Sequence, residues 1–562
     1  MNIYDDVLDA TVASHSITGH FTTADYEELL VVKTNLLCIY KPSREGKLYL
    51  ACEFRFHGKI TDIALIPQVD SPLDYMLLST STAKISIIRY DTALNTLETL
   101  SLHYYEDKFR NLSLIELAKE SRLRVDPARN CIILYNNDVV ALLPLKRSNT
   151  DEDDDENENE NSRTKKPKTN KEQITEVSSM FHVKELHQDI QNVVDIQFLN
   201  GFTKSTIAIL YEPKLGWAGN SQLFPCPMTY IILTLEIISN ETQTNVETTT
   251  IGKVQDLNWD FHTLIPISNG CIVSGTNELA FIDNTGVLQS VILLNAFANK
   301  DVKKGRVIDK KSSEIIFDKP LTFNLSIGKD KQEDETLLLM DHQTNFYYVH
   351  LESEGRLLTK FDIFKLPIVN DALKWNSICS CISHVRDLSA EKTMVLFMGF
   401  LSGDALVVKL NNVKAAIETR DEHKPLLEIV DEDEDDLYAD ENSVSGDAKE
   451  TIIETVQPFD IEILSSLRNA GPITSLTTGK VCSVEKYVKG VSNPNRGELS
   501  LVATSGNGSG SHLTEIQESV RPEVELALKF ISITQMWTLK MKSVDKFLVT
   551  TDSNTKKSDV YR

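Results

Sequence analysis

Cysteine, histidine, acidic and glycine-rich groupings are the residues here that could do chemistry. The one close cysteine pair is Cys379-Ser380-Cys381, with His384 just after it. A zinc centre takes about four ligands, and no second pair follows at a suitable spacing. The eight cysteines (Cys38, Cys52, Cys131, Cys226, Cys271, Cys379, Cys381 and Cys482) are scattered through apolar, strand-like runs. They read as small buried hydrophobes rather than as metal ligands or a disulfide framework. No GxxxxGK[ST] loop is present: Gly46-Lys47 leads into Leu48, and Gly479-Lys480 into Val481. The most glycine-rich stretch, Ser505-Gly506-Asn507-Gly508-Ser509-Gly510-Ser511, follows a strand-like run but leads into another. Without a helix N-terminus to offer its dipole to a phosphate, it reads as a hairpin loop. Neither HExxH nor GxSxG occurs. The carboxylates crowd into solvated runs, a poor setting for the shifted pKa values that acid–base catalysis needs. The expectation is a non-catalytic protein with no cofactor and no metal.

One feature is of the targeting kind. Arg163, Lys165, Lys166 and Lys168 form a short basic cluster around Pro167 that an importin could read. The plainer alternative is a solvated linker whose cations balance the acids beside it. Those acids dominate the formal charge of −24. Asp151 to Glu160 holds eight carboxylates and Asp431 to Glu441 another eight, which leaves the remainder only eight charges negative. So mild an acidity leaves room for a local RNA-binding patch. The N-terminus, Met1-Asn2-Ile3-Tyr4-Asp5-Asp6, lacks an apolar signal core. The best apolar run, Tyr230 to Ile238, is too short to span a bilayer, so a soluble intracellular protein is expected.

The elements that must position any site are short strands. Glu28 to Val32, Leu36 to Tyr40, Lys47 to Leu50, Glu53 to His57 and Ile60 to Ile66 follow one another with turn signals between them. Tyr75 to Ser79 and Lys84 to Tyr90 form an apparent hairpin across Ser81-Thr82. Similar runs recur at 131–135, 138–145, 193–199, 205–211, 229–238, 271–275, 278–282, 287–294, 336–341, 346–351, 394–399 and 404–410. Ser113 to Glu120 is the best helical candidate, and it is short. So many strands with no helical layer favour radial repetition, an all-β propeller, because blades can be added without a covering layer. The repeat is divergent: Trp259-Asp260 is the only WD dipeptide.

Two stretches, about 148–176 and 413–456, are too polar to offset their ordering entropy and are expected to be disordered insertions. The strand pattern restarts at Pro472 to Leu476, which puts a domain boundary near 458. Residues 458–562 suffice for roughly two blades, with apolar positions such as Leu526, Leu528, Phe530, Ile531 and Ile533 left under-covered.

Several stretches go beyond pattern. Thr99-Leu100-Ser101-Leu102-His103-Tyr104-Tyr105-Glu106, Arg124-Val125-Asp126-Pro127 and Leu142 to Leu145 resemble the large-subunit family of the cleavage and polyadenylation specificity factor. So do Ile209 to Gly219, Trp259 to Pro266, and Gly275 to Leu279, with the fungal branch the nearest match at Met1 to Thr11 and Asp460 to Arg468. The resemblance implies three seven-bladed propellers and a C-terminal helical domain. Residues 1–457 would then be the first propeller and 458–562 the first blades of a second. It further implies a nuclear, RNA-associated scaffold of the polymerase module. The implied partners are a WD-repeat subunit, a CCCH zinc-finger subunit and, through them, poly(A) polymerase. Pre-mRNA contact would be weak or indirect, since neither a strong basic groove nor a row of exposed aromatics stands out. A ubiquitin-ligase adaptor or splicing-complex subunit of the same architecture is the alternative, and Leu100 to Glu106 argues against it.

Overall fold

A computed structural model describes residues 8–298 apart from 44–45, 69–70, 82–83, 106–120, 147–173, 215–226 and 240–243. Beyond them it describes 306–309, 315–317, 323–328, 334–341, 343–355, 357–366, 378–385, 393–411, 417–421, 452–456, 460–480, 499–516, 533–541, 544–552 and 556–561. Seven sheets follow one another along the first of two compact units, residues 1–477 with 503–514. Taken as blades, they span residues 15–55, 60–104, 122–182, 193–257, 261–309, 323–365 and 379–467. Six have four strands; the fifth adds Arg306–Asp309 in parallel to its outer edge. First strands of neighbouring blades touch around most of the ring, and the first strands are innermost: His15–Gly19, Ile60–Pro67, Arg122–Val125, Val193–Phe198, Phe261–Ile267, Phe323–Gly328 and Cys379–Val385. Tyr230 to Ile238 lies inside the strand Met228–Ser239. Among the described residues no helix is long and apolar enough to cross a membrane.

The middle strands show why apolar runs dominate the sequence. Side chains alternate between the two faces of a strand, and both faces of a blade are covered. Met76 and Leu78 pack with Leu37 and Ile39 of the first blade, while Leu77 between them packs with Ile132 and Leu134 of the third. The same division recurs at each junction: Ile133 meets Ile209, Leu210 meets Val273, Ile272 meets Leu339, and Leu338 meets Leu396. The seventh junction joins Phe397 and Val407 to Leu29 and Val31. Seven apolar clusters between seven blades make a closed ring, since an open array would have one junction fewer. Each buried Leu or Ile contributes about 1.5–3 kcal/mol, so every junction is strongly held.

Four expectations change. The outer strand of the seventh blade is Asp460–Leu467, paired with Ala405–Asn411. A cut after 457 would remove it, so the ring ends about ten residues later. Within the expected insertion 148–176, Thr175 is buried and bridges Leu145. Within 413–456, Ile417–Asp421 and Ile452–Val456 pair as a hairpin. In both places backbone pairing orders the ends of an otherwise polar stretch; residues 148–173, 413–416 and 422–451, and Ser113 to Glu120, lie outside the described residues. Lys47 to His57, expected as two strands, is one, Leu48–Arg55.

After the ring come two three-stranded sheets. One is Ile473–Lys480, Leu499–Ser505 and His512–Ile516; the other, in the second unit, is Gln535–Met541, Val544–Asp552 and Lys557–Tyr561. Every residue of Gln535–Met541 is exposed.

Candidate functional site

The cysteine pair and the glycine-rich stretch each have a structural use. A β-bulge between Cys379 and Cys381 breaks the alternation that would put both thiols on one face. Cys379 packs in the junction of blades six and seven, Cys381 in that of seven and one. Burial pushes the Cys381 thiol up to about 11 and that of Cys379 well above its ordinary value, so neither is poised as a thiolate ligand. The glycine-rich stretch is a hairpin loop with a short 3-10 turn at Gly508–Gly510. It closes on the seventh blade, where Asn507 N–H donates to Ser402 Oγ at 2.7 Å. Gly506 sits at φ +80°, and a Cβ there would stand 2.5 Å from Ser402 Oγ, which explains the glycine by close approach. Arg163, Lys165, Lys166 and Lys168 lie outside the described residues.

One deeply buried carboxylate, which sequence reading did not single out, bridges several blades. Asp195, 1% exposed at its side chain, follows a bulge on the innermost strand of the fourth blade. It accepts from Tyr135 OH at 2.6 Å, Ile196 N–H at 3.1 Å and Leu264 N–H at 3.0 Å. Arg124 and Arg122 approach it at 3.3 and 3.4 Å. One carboxylate thus ties blades three, four and five together. Burial alone would lower the Arg124 pKa, but Tyr135, Asp195 and Asp62 outweigh it and the pKa is raised. Burial, then the charge of Asp195, raises Tyr135. Asp62 repeats the device on the second blade, accepting from Ile63 N–H and Leu123 N–H, each at 2.9 Å. Asp126, Asp283 and Asp341 are taken up by turn amides. Asp195 and Asp62 thus brace the ring, and the other three fix turns.

What remains available is surface. Trp259 is 69% exposed, Phe297 78% and Ile316 44%, all at the end of the fifth blade where its innermost strand begins. Hydrogen bonds lock the loops that carry them. Asp260 Oδ2 accepts from Asn277 N–H at 3.0 Å, Phe317 N–H donates to Thr276 O at 3.0 Å, and Asn295 Nδ2 donates to Ile315 O at 2.9 Å. At the corresponding end of blade two, Tyr104 is 62% exposed with Lys84 Nζ 5.2 Å from its ring centre. Rigid loops presenting large apolar groups are an arrangement for binding. The tryptophan was visible in the sequence only as part of a WD dipeptide; its exposure depends on the buried turn beside it.

Residues 12–459 match the family model described as the RSE1/DDB1/CPSF1 first beta-propeller. The chain belongs to this propeller family. Protein CFT1 of Saccharomyces cerevisiae is 55% identical over 600 residues, covering 100% of this chain and 44% of that protein. Protein CFT1 of Kluyveromyces lactis is 42% identical over 563 residues, covering 100% of this chain and 42% of its own length. Protein cft1 of Schizosaccharomyces pombe is 24% identical over 594 residues, with 96% and 39% covered. The chain therefore spans less than half the length of these relatives. The resemblance to the large subunit of the cleavage and polyadenylation specificity factor is borne out, and so is the β-propeller fold of the RSE1/DDB1/CPSF1 family.

Proposed function

We propose that the chain is part of a non-catalytic scaffold subunit of the nuclear machinery that cleaves and polyadenylates pre-mRNA. In this reading it organises the polymerase module and assists recognition of the poly(A) signal. Its direct partners would be a WD-repeat subunit and a CCCH zinc-finger subunit, with poly(A) polymerase reached through them and pre-mRNA touched weakly or indirectly. The observation that carries the reading is the division of labour in the ring. Buried carboxylates are committed to holding blades together, while Trp259 and Phe297 stand out on hydrogen-bonded loops. Similarity to CFT1 proteins over the whole chain favours this assembly over a ligase adaptor or splicing subunit built on the same propeller.

The test is co-purification of the full-length protein from nuclear extract, beside a Trp259→Ser, Phe297→Ser double variant. Recovery of polyadenylation subunits with the unaltered protein, weakened in the variant, supports both the assembly and the binding face. Recovery of ubiquitin-ligase or splicing subunits in their place refutes the assignment.

A further inference from the structure

All the paired strands of the seventh blade come from residues 379–467 and all those of the first from 15–55. Among the described residues, no strand from one end of the chain completes a blade begun at the other. The seam between blades one and seven is held by its apolar cluster, and the segment before the first strand adds polar bonds beside it. Ser380 Oγ donates to Ala13 O at 2.6 Å, and Ala13 is buried against the seam cluster. Just ahead of it, Thr11 Oγ1 donates to Asn469 Oδ1 at 3.1 Å and accepts from Ala470 N–H at 2.9 Å.

Asn469 is the centre of this arrangement. It lies two residues past the last strand of the ring and is 2% exposed. Its Nδ2 donates to Phe400 O at 3.1 Å and to Gly403 O at 3.0 Å, the first at the end of a middle strand of the seventh blade and the second in the turn that follows. Its Oδ1 also accepts from Gly471 N–H at 2.9 Å, and its own N–H donates to Asp404 Oδ1 at 3.0 Å. An amide can offer two donors and an acceptor oxygen at once; aspartate and alanine cannot. The same turn carries Ser402, on which the Gly506 loop closes. Gly471 fits beside Val12 with no room for a side chain, since a Cβ there would lie 2.6 Å from Val12 Cγ2.

We propose that residues 9–14 are a clasp that closes the propeller, with Asn469 as its key. The clasp joins three things: the start of the first blade, the turn of the last, and the point where the chain leaves the ring. Beside the apolar cluster and the Thr18–His384 and Ser16–Ser383 bonds of the same seam, this side chain ties closure of the ring to the point where the chain leaves it.

Hydrogen exchange on the full 562-residue chain tests this, using Asn469→Ala and the milder Thr11→Val, which keeps the side-chain shape. Asn469→Ala should speed exchange of amides in His15–Gly19 and Cys379–Val385 by about 10–100-fold, and Thr11→Val by about 3–10-fold. Thr206–Tyr211, in blade four, should keep its wild-type rate in both. The double variant should open the seam no further than Asn469→Ala alone, because the two residues act as one device. Equal acceleration in all blades, an effect confined to 469–471, or no change at the seam would each overturn the proposal.

Discussion

Replacing Asp195 by alanine removes a fully buried acceptor and leaves five donors facing it, the Ile196 N–H among them. Tyr135 OH and Leu264 N–H lose their bonds at 2.6 and 3.0 Å, and Arg124 loses a charged partner at 3.3 Å while only 21% exposed. Arg122 is 42% exposed and water can replace its partner, so its share is discounted. Removing one member of a buried ion pair costs about 3–5 kcal/mol, mostly because the other charge stays behind uncompensated. Tyr135→Phe deletes one bond and one hydroxyl, at about 1–2 kcal/mol. With about 2.1 cal/mol/K per residue over a ring of about 450 residues, the unfolding entropy is about 1 kcal/mol/K. Asp195→Ala should then lower Tm by about 3–5 °C and Tyr135→Phe by about 1–2 °C in differential scanning calorimetry. Because Leu264 N–H would lose its acceptor, its exchange should accelerate more than that of Ile207 in the same ring. A drop under about 1 °C for Asp195→Ala would show that the carboxylate is dispensable, and the bracing argument would fail.

Other expectations follow from burial and exposure. Ellman's reagent at pH 8 should leave Cys379 and Cys381 unmodified in the native protein and label them only on unfolding, because burial raises both thiols; rapid native labelling would contradict their packing. Alanine at Lys165, Lys166 and Lys168 should slow nuclear entry of a reporter fusion, and unchanged entry would leave the cluster a linker. Amides of 471–550 should exchange far faster than those of 29–145, since Gln535–Met541 is exposed throughout; equal protection would mean that this part folds independently.

Reading strands from sequence worked where both faces of a strand are covered. Leu134 and Ile133 face opposite junctions, as do Ile272 and Val273, so the middle strands appear as unbroken apolar runs. The innermost and outermost strands were mostly missed. Cys379–Val385 and Phe261–Ile267 carry bulges that disturb period two, and Arg122–Val125 spends two of four positions on arginine. Thr244–Leu257 faces solvent along much of one side and reads as a polar linker. The exposed loops were hidden for a related reason. Nothing local marks Phe297 as outward-facing; its position is fixed by Asn295, which bonds across a gap in sequence to Ile315.

The brace on Asp195 was legible only as half of a pair. Thr61-Asp62-Ile63 and Val194-Asp195-Ile196 each follow a bulge on an innermost strand, and each carboxylate bonds its own next amide and that of a buried leucine one blade on. The dipeptide alone is no signature, because Asp362-Ile363 makes the first bond on an outer strand, Leu357–Lys365. The two carboxylates differ in depth, and that difference ranks them. Asp62 is 23% exposed at its side chain against 1% for Asp195, and its arginine partner stands at 4.0 Å, not 3.3 Å. Water can therefore reach the groups that Asp62→Ala would leave behind, and its cost should fall to about 1–2 kcal/mol, near that of a neutral hydrogen bond with partial exposure. Calorimetry of the two alanine variants side by side reads the ranking directly. If Asp62→Ala proves the more damaging, depth of burial does not govern how these carboxylates hold the ring, and the common account of both sites is wrong.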